Sequence, residues 1–301
     1  MGAPRQRVGF VGIGRMGAPM AARLHAAGHA LLVHDVRADV ARTFADAHRG
    51  SQCTASLDAL GDCDVTITML PDSSAVEAVV FGSEGTRGLI EVSRRGSLLI
   101  DMSSSAPLRT RALAARLAAA SIDFLDAPVS GGVKRAVDGT LSIMVGGTPE
   151  TFARIEPLLR HLGNEVTYCG EAGAGQAVKI LNNMVLFQTV VGLAEALCIA
   201  RANGVDGKVL FETLTKGSAD SFGLRNHGLK ALLPGVFPER AFSTDYALKD
   251  LSYAIEMAEE AGVPALGADV ARELMERAKE LGFSKEYWPV LIKAIEDGTR
   301  K

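Results

Sequence analysis

The chain has 301 residues, which is enough for two hydrophobic cores, and its 48% hydrophobic and 22% charged residues are ordinary for a globular protein. The formal net charge is -3 and no basic run is present, which argues against nucleic acid or a membrane surface as a partner. The 4 cysteines lie far apart without a Cys-x-x-Cys pair, which predicts buried free thiols in a reducing compartment and no metal site.

The first strand pattern begins near Arg7, so little of the chain is left for a targeting segment, and we expect a cytoplasmic protein. Residues 7–35 read as an apolar strand, a glycine turn, an alanine-rich helix and a second apolar strand. The turn carries Gly12, Gly14 and Gly17 in the spacing G-x-G-x-x-G, which permits a tight turn and close approach of a pyrophosphate to the backbone. Because the motif follows a strand and opens a helix, it predicts a dinucleotide-binding site.

Asp35 stands at the end of the second strand, about twenty residues after the start of the glycine turn, as in dinucleotide-binding folds. A carboxylate at this position accepts hydrogen bonds from ribose hydroxyls and repels a 2′-phosphate. The sequence therefore favours NAD. Arg37 and Arg15 lie close enough in sequence to offset that repulsion in part, so NADP stays an alternative.

Near-continuous apolar strands alternate with helix-like segments through the rest of the first domain. Such alternation predicts a Rossmann-type α/β domain with a mostly parallel sheet that is covered on both faces, ending near residue 172. The predicted strands lie at 64–70, 97–102, 122–128, 140–147 and 164–170.

Three loops follow predicted strands and are rich in hydroxyl groups or glycine: 69–72, 101–105 and 126–132. Loops at the carboxyl ends of parallel strands form the ligand crevice of this architecture. In the last loop, Gly131 and Gly132 can expose successive N–H groups while Ser130 adds a hydroxyl donor, an arrangement that suits a carboxylate. A plain tight turn explains the same three residues equally well.

Residues 173–204 predict one long helix, because the run from Gln176 onwards contains no proline. Such a helix is expected to leave one domain and form the spine of the next. Lys179, Asn182 and Asn183 share a face of its first turns, as their i, i+3 and i, i+4 spacing requires. They indicate either a solvated helix start or a functional site.

The rest of this helix is apolar nearly all round, so it must be buried on several sides. A membrane span is the competing interpretation, and the polar residues Gln188 and Glu195 argue against it. We therefore expect burial within the protein or between subunits, which favours a homodimer or homotetramer.

Residues 205–301 read as helix after helix, which predicts an all-α C-terminal domain joined to the first by the long helix. Lys249 and Asp250 lie beside an apolar stripe and are interpreted first as a surface ion pair. The polar segment 218–228 reads as a helix connection, with a pocket wall as the alternative.

Several motifs, in order along almost the whole chain, resemble the β-hydroxyacid dehydrogenase family. GIGRMGAPMA is similar to the family's cofactor turn, and DMSSSAP to its D-x-S-T-x-x-P segment with serine at 104 in place of threonine. DAPVSGGVKRAVDGTLSIMVGG resembles the substrate-binding signature, GAGQAVKILNN the start of the catalytic helix, and ALKDL a helix on the cofactor side.

The resemblance implies hydride transfer between NAD(P) and a short 3-hydroxy acid of the 3-hydroxyisobutyrate, L-threonate or tartronate semialdehyde class. Lys179 would be the catalytic lysine and Asn183 would orient the substrate. Proton transfer by Lys179 would require a pKa lowered by partial burial. The implied substrate contacts are Ser130, Gly131, Gly132, Asn182 and Asp250. The implied cofactor contacts are Gly12, Ile13, Gly14, Met16, Gly17, Asp35, Met69, Leu70, Pro71, Ser104 and Lys249.

One departure from the family pattern concerns Lys134 and Arg135, which stand where many members carry small residues. Two cations there predict a more polar or more anionic substrate than 3-hydroxyisobutyrate, unless both simply face water. Other functions share the cofactor fold. A nicotinamide-binding sensor or scaffold would need no Lys179, imine reductases lack that lysine, and the decarboxylating dehydrogenases of phosphorylated sugar acids have a much larger helical domain. Reduction of small semialdehydes is the remaining alternative.

Overall fold

The computed structural model describes residues 6–83, 85–239 and 241–298. The chain divides into two compact units, one ending at Lys179 and the other beginning at Ile180. This division falls within the long helix that the sequence predicts over 173–204.

The first unit is an α/β domain built on one large sheet. Its strands are β1 Arg7–Val11, β2 Ala30–His34, β3 Gln52–Cys53, β4 Val65–Thr68, β5 Gly82–Ser83, β6 Thr86–Arg87, β7 Leu98–Asp101, β8 Asp123–Asp126, β9 Val129–Ser130, β10 Ser142–Gly146 and β11 Glu165–Gly170. The short β5–β6 hairpin forms a separate ribbon. The large sheet has the order β11-β10-β8-β7-β4-β1-β2-β3, with β9 paired to β10.

The strand order places the ends of β1 and β4 at the point where the sheet reverses direction. Strand β1 pairs in parallel with β2 on one side and with β4 on the other. The pairs β4–β7 and β7–β8 are also parallel, whereas β10 meets β8 antiparallel at a single position. Ligands of such sheets bind outside the carboxyl ends of the strands at this reversal. The Rossmann-type, mostly parallel prediction is confirmed.

Helices cover both faces of this sheet because its central strands are apolar on both sides. Strands β4 and β7 are buried at every position, and β1 at four of its five. The helices of the first unit are α1 Gly17–Ala26, α2 Ala38–Ala47, α3 Ser73–Phe81, α4 Leu89–Val92, α5 Pro107–Ala119, α6 Gly132–Asp138 and α7 Pro149–Leu159, with a 3-10 turn at Leu57–Asp62.

Helix α8, Ala174–Ala202, starts in the first unit and continues into the second, which is all-helical as predicted. Phe187, Val190, Ala194 and Leu197 of α8 are buried in the core of the second unit. The remaining elements there are α9 Gly207–Leu214, a π-helix at Leu224–Leu232, α10 Thr244–Glu260, α11 Leu266–Glu280, a 3-10 turn at Trp288–Leu291 and α12 Ile292–Gly298.

Two local expectations are wrong. The segment 218–228 is not only a connection, because its last residues enter the π-helix that begins at Leu224. There Arg225 is engaged with Asp220 and Asn226 with Lys230, so these side chains are held by their own helix and its flank. Cys53 is exposed, because β3 is a two-residue strand at the edge of the sheet.

Among the described residues, one helix, Ala174–Ala202, is long enough and apolar enough to cross a membrane, judged by length and composition alone. Of its most apolar window, 44% is buried inside the protein. The core helix of a globular domain meets the same criterion, and the contacts of Phe187 and Leu197 in the second unit account for much of this apolar character.

The start of α8 is fixed to the sheet by the buried side chain of Asp126, the last residue of β8. Its Oδ1 accepts a hydrogen bond from Gly173 N at 2.7 Å and its Oδ2 accepts one from Gln176 N at 2.8 Å. These bonds satisfy two of the N–H groups that a helix leaves unpaired at its first turn. Burial raises the pKa of Asp126 to about 6 from its ordinary 3.8, although both backbone N–H groups act in the opposite direction.

We predict that Asp126→Asn lowers the free energy of unfolding by about 1–3 kcal/mol, because the amide nitrogen cannot accept and would face an N–H group. Urea denaturation measures the change. Asp123→Asn on the same strand is the control, because Asp123 forms only a half-exposed ion pair with Arg154, worth roughly 0–1 kcal/mol. Because burial holds the folded-state pKa of Asp126 above its ordinary value, ionisation of this carboxyl is less favourable in the folded state than in the unfolded chain, and the wild type loses stability as the pH rises from about 4 through about 6. The difference in free energy of unfolding between the wild type and Asp126→Asn should therefore become smaller between pH 4 and 7.

Candidate active site

Glycine stands at the three positions of the turn after β1 for different physical reasons. Gly12 has φ +96, and a Cβ there would overlap the carbonyl oxygen of Met69. A Cβ on Gly17 would overlap the carbonyl oxygen of Gly12, so these two positions are closed by the protein itself. A Cβ on Gly14 meets nothing within 4 Å. Gly14 therefore borders open space, where a glycine allows a ligand to approach the backbone.

Helix α1 begins at Gly17 directly behind this open space. No side chain caps its N-terminus, and its first turn contains no acidic residue. The positive end of the helix dipole therefore remains available to an anion. Together with Gly14, this arrangement fits the pyrophosphate of a dinucleotide.

The carboxylate of Asp35 holds the same turn from the end of β2. Asp35 is only 8% exposed; its Oδ2 accepts a hydrogen bond from Ile13 N at 2.9 Å and its Oδ1 accepts one from Arg37 N at 2.9 Å. Each carboxylate oxygen has a further lone pair, so ribose hydroxyls can still be bound. The guanidinium of Arg37 lies 3.7 Å from Asp35 Oδ1 on a side chain that is 65% exposed.

Two loops at neighbouring strand ends are tied together by buried serines. Ser103 Oγ accepts a hydrogen bond from Leu70 N at 2.9 Å, which joins the loop after β7 to the loop after β4. Ser103 and Ser105 are buried, whereas Ser104 between them is partly exposed. Met69 and Leu70 are likewise partly exposed, so the predicted cofactor residues of these loops are accessible from outside.

Behind these serines lies a buried polar network that the sequence analysis did not identify. Asp101 accepts hydrogen bonds from Thr68 Oγ1 at 2.9 Å and from Ser105 Oγ at 2.8 Å. Gln176 then accepts from Ser105 N at 3.0 Å and donates to the Ser103 carbonyl at 2.8 Å. The sequence did contain a signal that Asp101 and Asp126 are buried polar residues, because each is a charged residue at the end of an apolar strand. Gln176 carried no such signal.

The serine–diglycine loop, Ser130-Gly131-Gly132, joins β9 to α6. Gly131 has φ +130 and Gly132 has φ +69, conformations that favour glycine. A Cβ on Gly132 meets nothing within 4 Å, so its backbone is open to a ligand. The plain tight turn remains compatible with these angles, but the loop does leave accessible donors, as the predicted carboxylate site requires.

Strand β10 contacts both this loop and the start of α8. Ser142 pairs with Ser130 in the β9–β10 ladder. Two residues further along β10, the carbonyl oxygen of Met144 lies only 2.4 Å from the position that a Cβ on Gly175 would take. The start of α8 therefore packs closely against β10. Lys179 follows one turn later on α8 and is 8% exposed. The first unit therefore anchors the loop and the helix start that carries Lys179 to the same short strand.

In the second unit, the predicted residues Asn183 and Asp250 are in direct contact. Asn183 Nδ2 donates to Asp250 Oδ2 at 2.7 Å, and Asn182 Nδ2 donates to Asn183 Oδ1 at 3.2 Å. Asp250 is 2% exposed and Asn183 is 5% exposed, whereas Asn182 is exposed. The amide of Asn183 is thus held in one orientation from both ends.

The interpretation of Lys249 and Asp250 as a surface ion pair is wrong, because Asp250 points into the core side of α10. Lys249 Nζ lies 3.2 Å from Asp250 Oδ1, yet among the described residues that oxygen accepts no hydrogen bond of good geometry. The positive charge of Lys249, and not a directed hydrogen bond, balances the negative charge on this oxygen. The ammonium also lies 4.9 Å from the ring centre of Tyr246.

The reversal of the sheet, the glycine turn open at Gly14 and the carboxylate of Asp35 together define a dinucleotide-binding domain of the NAD(P) type. Residues 7–170 match the profile of the NAD-binding domain of 6-phosphogluconate dehydrogenase. Residues 173–292 match the profile described as NAD-binding of NADP-dependent 3-hydroxyisobutyrate dehydrogenase.

Individual relatives agree with these profiles. The chain is 35% identical over 295 residues to 2-(hydroxymethyl)glutarate dehydrogenase of Eubacterium barkeri, covering 97% of this chain and 96% of that one. It is 39% identical over 278 residues to 3-hydroxyisobutyrate dehydrogenase of Pseudomonas aeruginosa, covering 89% and 90%. A solved structure of Mycobacterium tuberculosis 3-hydroxyisobutyrate dehydrogenase with L-serine superposes with a TM-score of 0.88 at 30% identity, covering 97% and 99%. The chain belongs to the β-hydroxyacid dehydrogenase family and is an NAD(P)-dependent 3-hydroxyacid dehydrogenase.

We predict that Gly14→Ala leaves the thermal midpoint close to that of the wild type but weakens NAD(H) binding about tenfold or more, because the new methyl group occupies the space beside the turn. Gly17→Ala is the contrasting variant and should lower the midpoint, because its methyl group overlaps the Gly12 carbonyl. Calorimetry and fluorescence titration measure the two effects. Unchanged affinity of Gly14→Ala would show that no ligand approaches this position.

Proposed function

We propose that the enzyme oxidises the hydroxyl group of a short 3-hydroxy acid, with Lys179 as general base and the serine–diglycine loop as the site for the substrate carboxylate. The observation that carries this proposal is the burial of Lys179 at the start of a helix anchored to the same strand as that loop. In the reverse direction the same lysine would return the proton to the carbonyl oxygen of the semialdehyde.

The residues divide the work between binding and proton transfer. The N–H groups of Gly131 and Gly132 and the hydroxyl of Ser130 bind the carboxylate and fix the position of the neighbouring carbon. Lys179 Nζ takes the hydroxyl proton as the C–H bond gives up its hydride. Bound NAD(P) supplies the acceptor for that hydride.

Asn183 is proposed to orient the substrate rather than to transfer a proton. Its side chain is restrained by Asp250 and Asn182, so its amide dipole does not have to reorganise when a substrate binds. Lys249 and Ser104 are proposed to contact the cofactor. A nicotinamide-binding sensor would need neither a buried lysine nor a buried amide held from both ends, and this favours turnover.

The substrate class is a short acid with a hydroxymethyl or related hydroxyl group beta to a carboxylate. The relatives' names supply two candidates, 3-hydroxyisobutyrate and 2-(hydroxymethyl)glutarate, which share the reacting centre. A screen of purified protein against 3-hydroxy acids, L-threonate included, with each nicotinamide cofactor tests the proposal. Absence of NAD(P)H formation with every acid, and of its oxidation with the semialdehydes, would contradict it.

Two further expectations accompany the proposal. A cytoplasmic location suits an enzyme that uses the nicotinamide pool. A homodimer or homotetramer is supported by the exposed apolar residues Leu181, Val185 and Ile199 along α8, and the mass in solution tests it.

We predict that Lys179→Ala lowers kcat by about 10²- to 10⁴-fold, because the general base is removed. Binding of NAD(H), measured by fluorescence titration, should change little. Lys179→Arg is the sharper variant, because it keeps a cation that cannot lose its proton at accessible pH. Turnover by Lys179→Arg within a few fold of the wild type would reject proton transfer by this residue.

For the choice of cofactor we propose a preference for NAD, and we predict that Asp35→Ala weakens NAD roughly 10- to 100-fold, as expected for loss of hydrogen bonds to a charged group. NADP should be affected less, because the repulsion of its 2′-phosphate disappears at the same time. Arg37→Ala is the counterpart and should weaken NADP more than NAD. Steady-state kinetics with both cofactors measure the ratios, and a wild-type preference for NADP would contradict the proposal.

A further inference from the structure

The structure separates the two cations that follow the serine–diglycine loop. Lys134 Nζ donates to Asp138 Oδ2 at 2.7 Å, and the lysine side chain is 88% exposed. This is an i, i+4 ion pair on the outer face of α6. The charge of Lys134 is therefore balanced on its own helix and is turned to water.

Arg135 lies instead against the loop. A Cβ on Gly131 would overlap Arg135 Cδ and stand 2.9 Å from Arg135 Cβ, so the stem of the arginine packs over the Gly131 backbone. Any side chain at position 131 would displace it. The guanidinium follows Cδ directly in the side chain, so it is carried at the rim of the loop, and Arg135 as a whole is exposed.

Nothing in the described part of the chain neutralises this guanidinium. Within 6–83, 85–239 and 241–298, no carboxylate forms an ion pair with Arg135, and the single acidic residue of α6, Asp138, is engaged by Lys134. At the other end of α6 the guanidinium of Arg23 fills the space beside Gly139. Of the two cations of α6, Arg135 is therefore the one that no carboxylate of the described residues pairs.

An unpaired guanidinium beside a carboxylate-binding loop suits a second carboxylate, which it can bind with two parallel hydrogen bonds. We infer that the preferred substrate is a dicarboxylic 3-hydroxy acid, with one carboxylate on the serine–diglycine loop and the second on Arg135. This inference rests on the proposed function and narrows its substrate class.

The chemistry of the candidates makes the inference testable. In 3-hydroxyisobutyrate the carbon beside the carboxylate carries a methyl group, and in 2-(hydroxymethyl)glutarate the same carbon carries a carboxyethyl arm. The reacting hydroxymethyl group is identical in both. A third compound, 2-(hydroxymethyl)glutarate with its distal carboxylate converted to a primary amide, has the same length without the second charge.

The experiment compares kcat/KM for the dicarboxylate and for its distal amide in the wild type, Arg135→Gln and Lys134→Gln. We expect the wild type to favour the dicarboxylate by at least about tenfold and Arg135→Gln to lower that ratio roughly 10-fold, the low end for a charge-assisted pair because Arg135 is exposed. Lys134→Gln should leave the ratio within about twofold, because its charge is already paired. The ratio is taken within each variant, so a general loss of activity cancels.

The outcomes separate this inference from the function on which it rests. Equal kcat/KM for dicarboxylate and amide in the wild type, or an equal fall of the ratio in both variants, overturns the role of Arg135. Turnover of another 3-hydroxy acid without turnover of the dicarboxylate also overturns the inference and leaves the proposed function standing. Absence of turnover with every 3-hydroxy acid and every semialdehyde overturns the proposed function instead. If Arg135→Gln does not fold, the wild type decides the matter alone. Raising ionic strength should lower kcat/KM for the dicarboxylate more than for the amide, and an equal effect on both rejects the inference.

Discussion

The hydrogen bonds from Gly173 and Gln176 to the buried carboxylate of Asp126 determine where the long helix begins. A carboxylate with almost no access to water is costly, and here two backbone N–H groups offset part of that cost. The same two bonds satisfy groups that the first turn of α8 cannot pair internally. The sheet and helix therefore constrain each other, and the position of Lys179 along α8 follows from that constraint.

The network around Asp126 extends this constraint to the cofactor side of the sheet. Gln176 uses its amide on the backbone of Ser103 and Ser105, whose neighbour Asp101 is held in turn by Thr68. Every one of these groups is buried and hydrogen-bonded, so displacing one would leave others unsatisfied. The loop that presents Ser104 and the helix that presents Lys179 are therefore parts of one rigid polar layer at the strand ends.

The sequence predicted the elements whose signal is local. The glycine turn, the apolar strands and the proline-free helix are periodic or carry residues with one structural use, and Asp35 was recognised by its spacing from the turn. The π-helix from Leu224 escaped because its glycine and polar residues resemble a connection. Asp250 was misjudged as superficial, since burial of a carboxylate depends on a partner 67 residues away, Asn183, which no local pattern reveals. Gln176 escaped for the same reason.

Helical geometry alone could have predicted part of the difference between Lys134 and Arg135. Adjacent residues on a helix point about 100° apart, so the two cations could not both face the loop. Lys134 has Asp138 four residues ahead, and Arg135 has Gly131 four residues behind, and both spacings were readable from the sequence. The carboxylate of Asp138 at i, i+4 balances the charge of Lys134. An i, i+4 glycine leaves the other with room to lie over the backbone. What the sequence alone could not supply was the positive φ of Gly131, which turns that backbone toward the stem of Arg135 and so joins the remaining charge to the substrate loop.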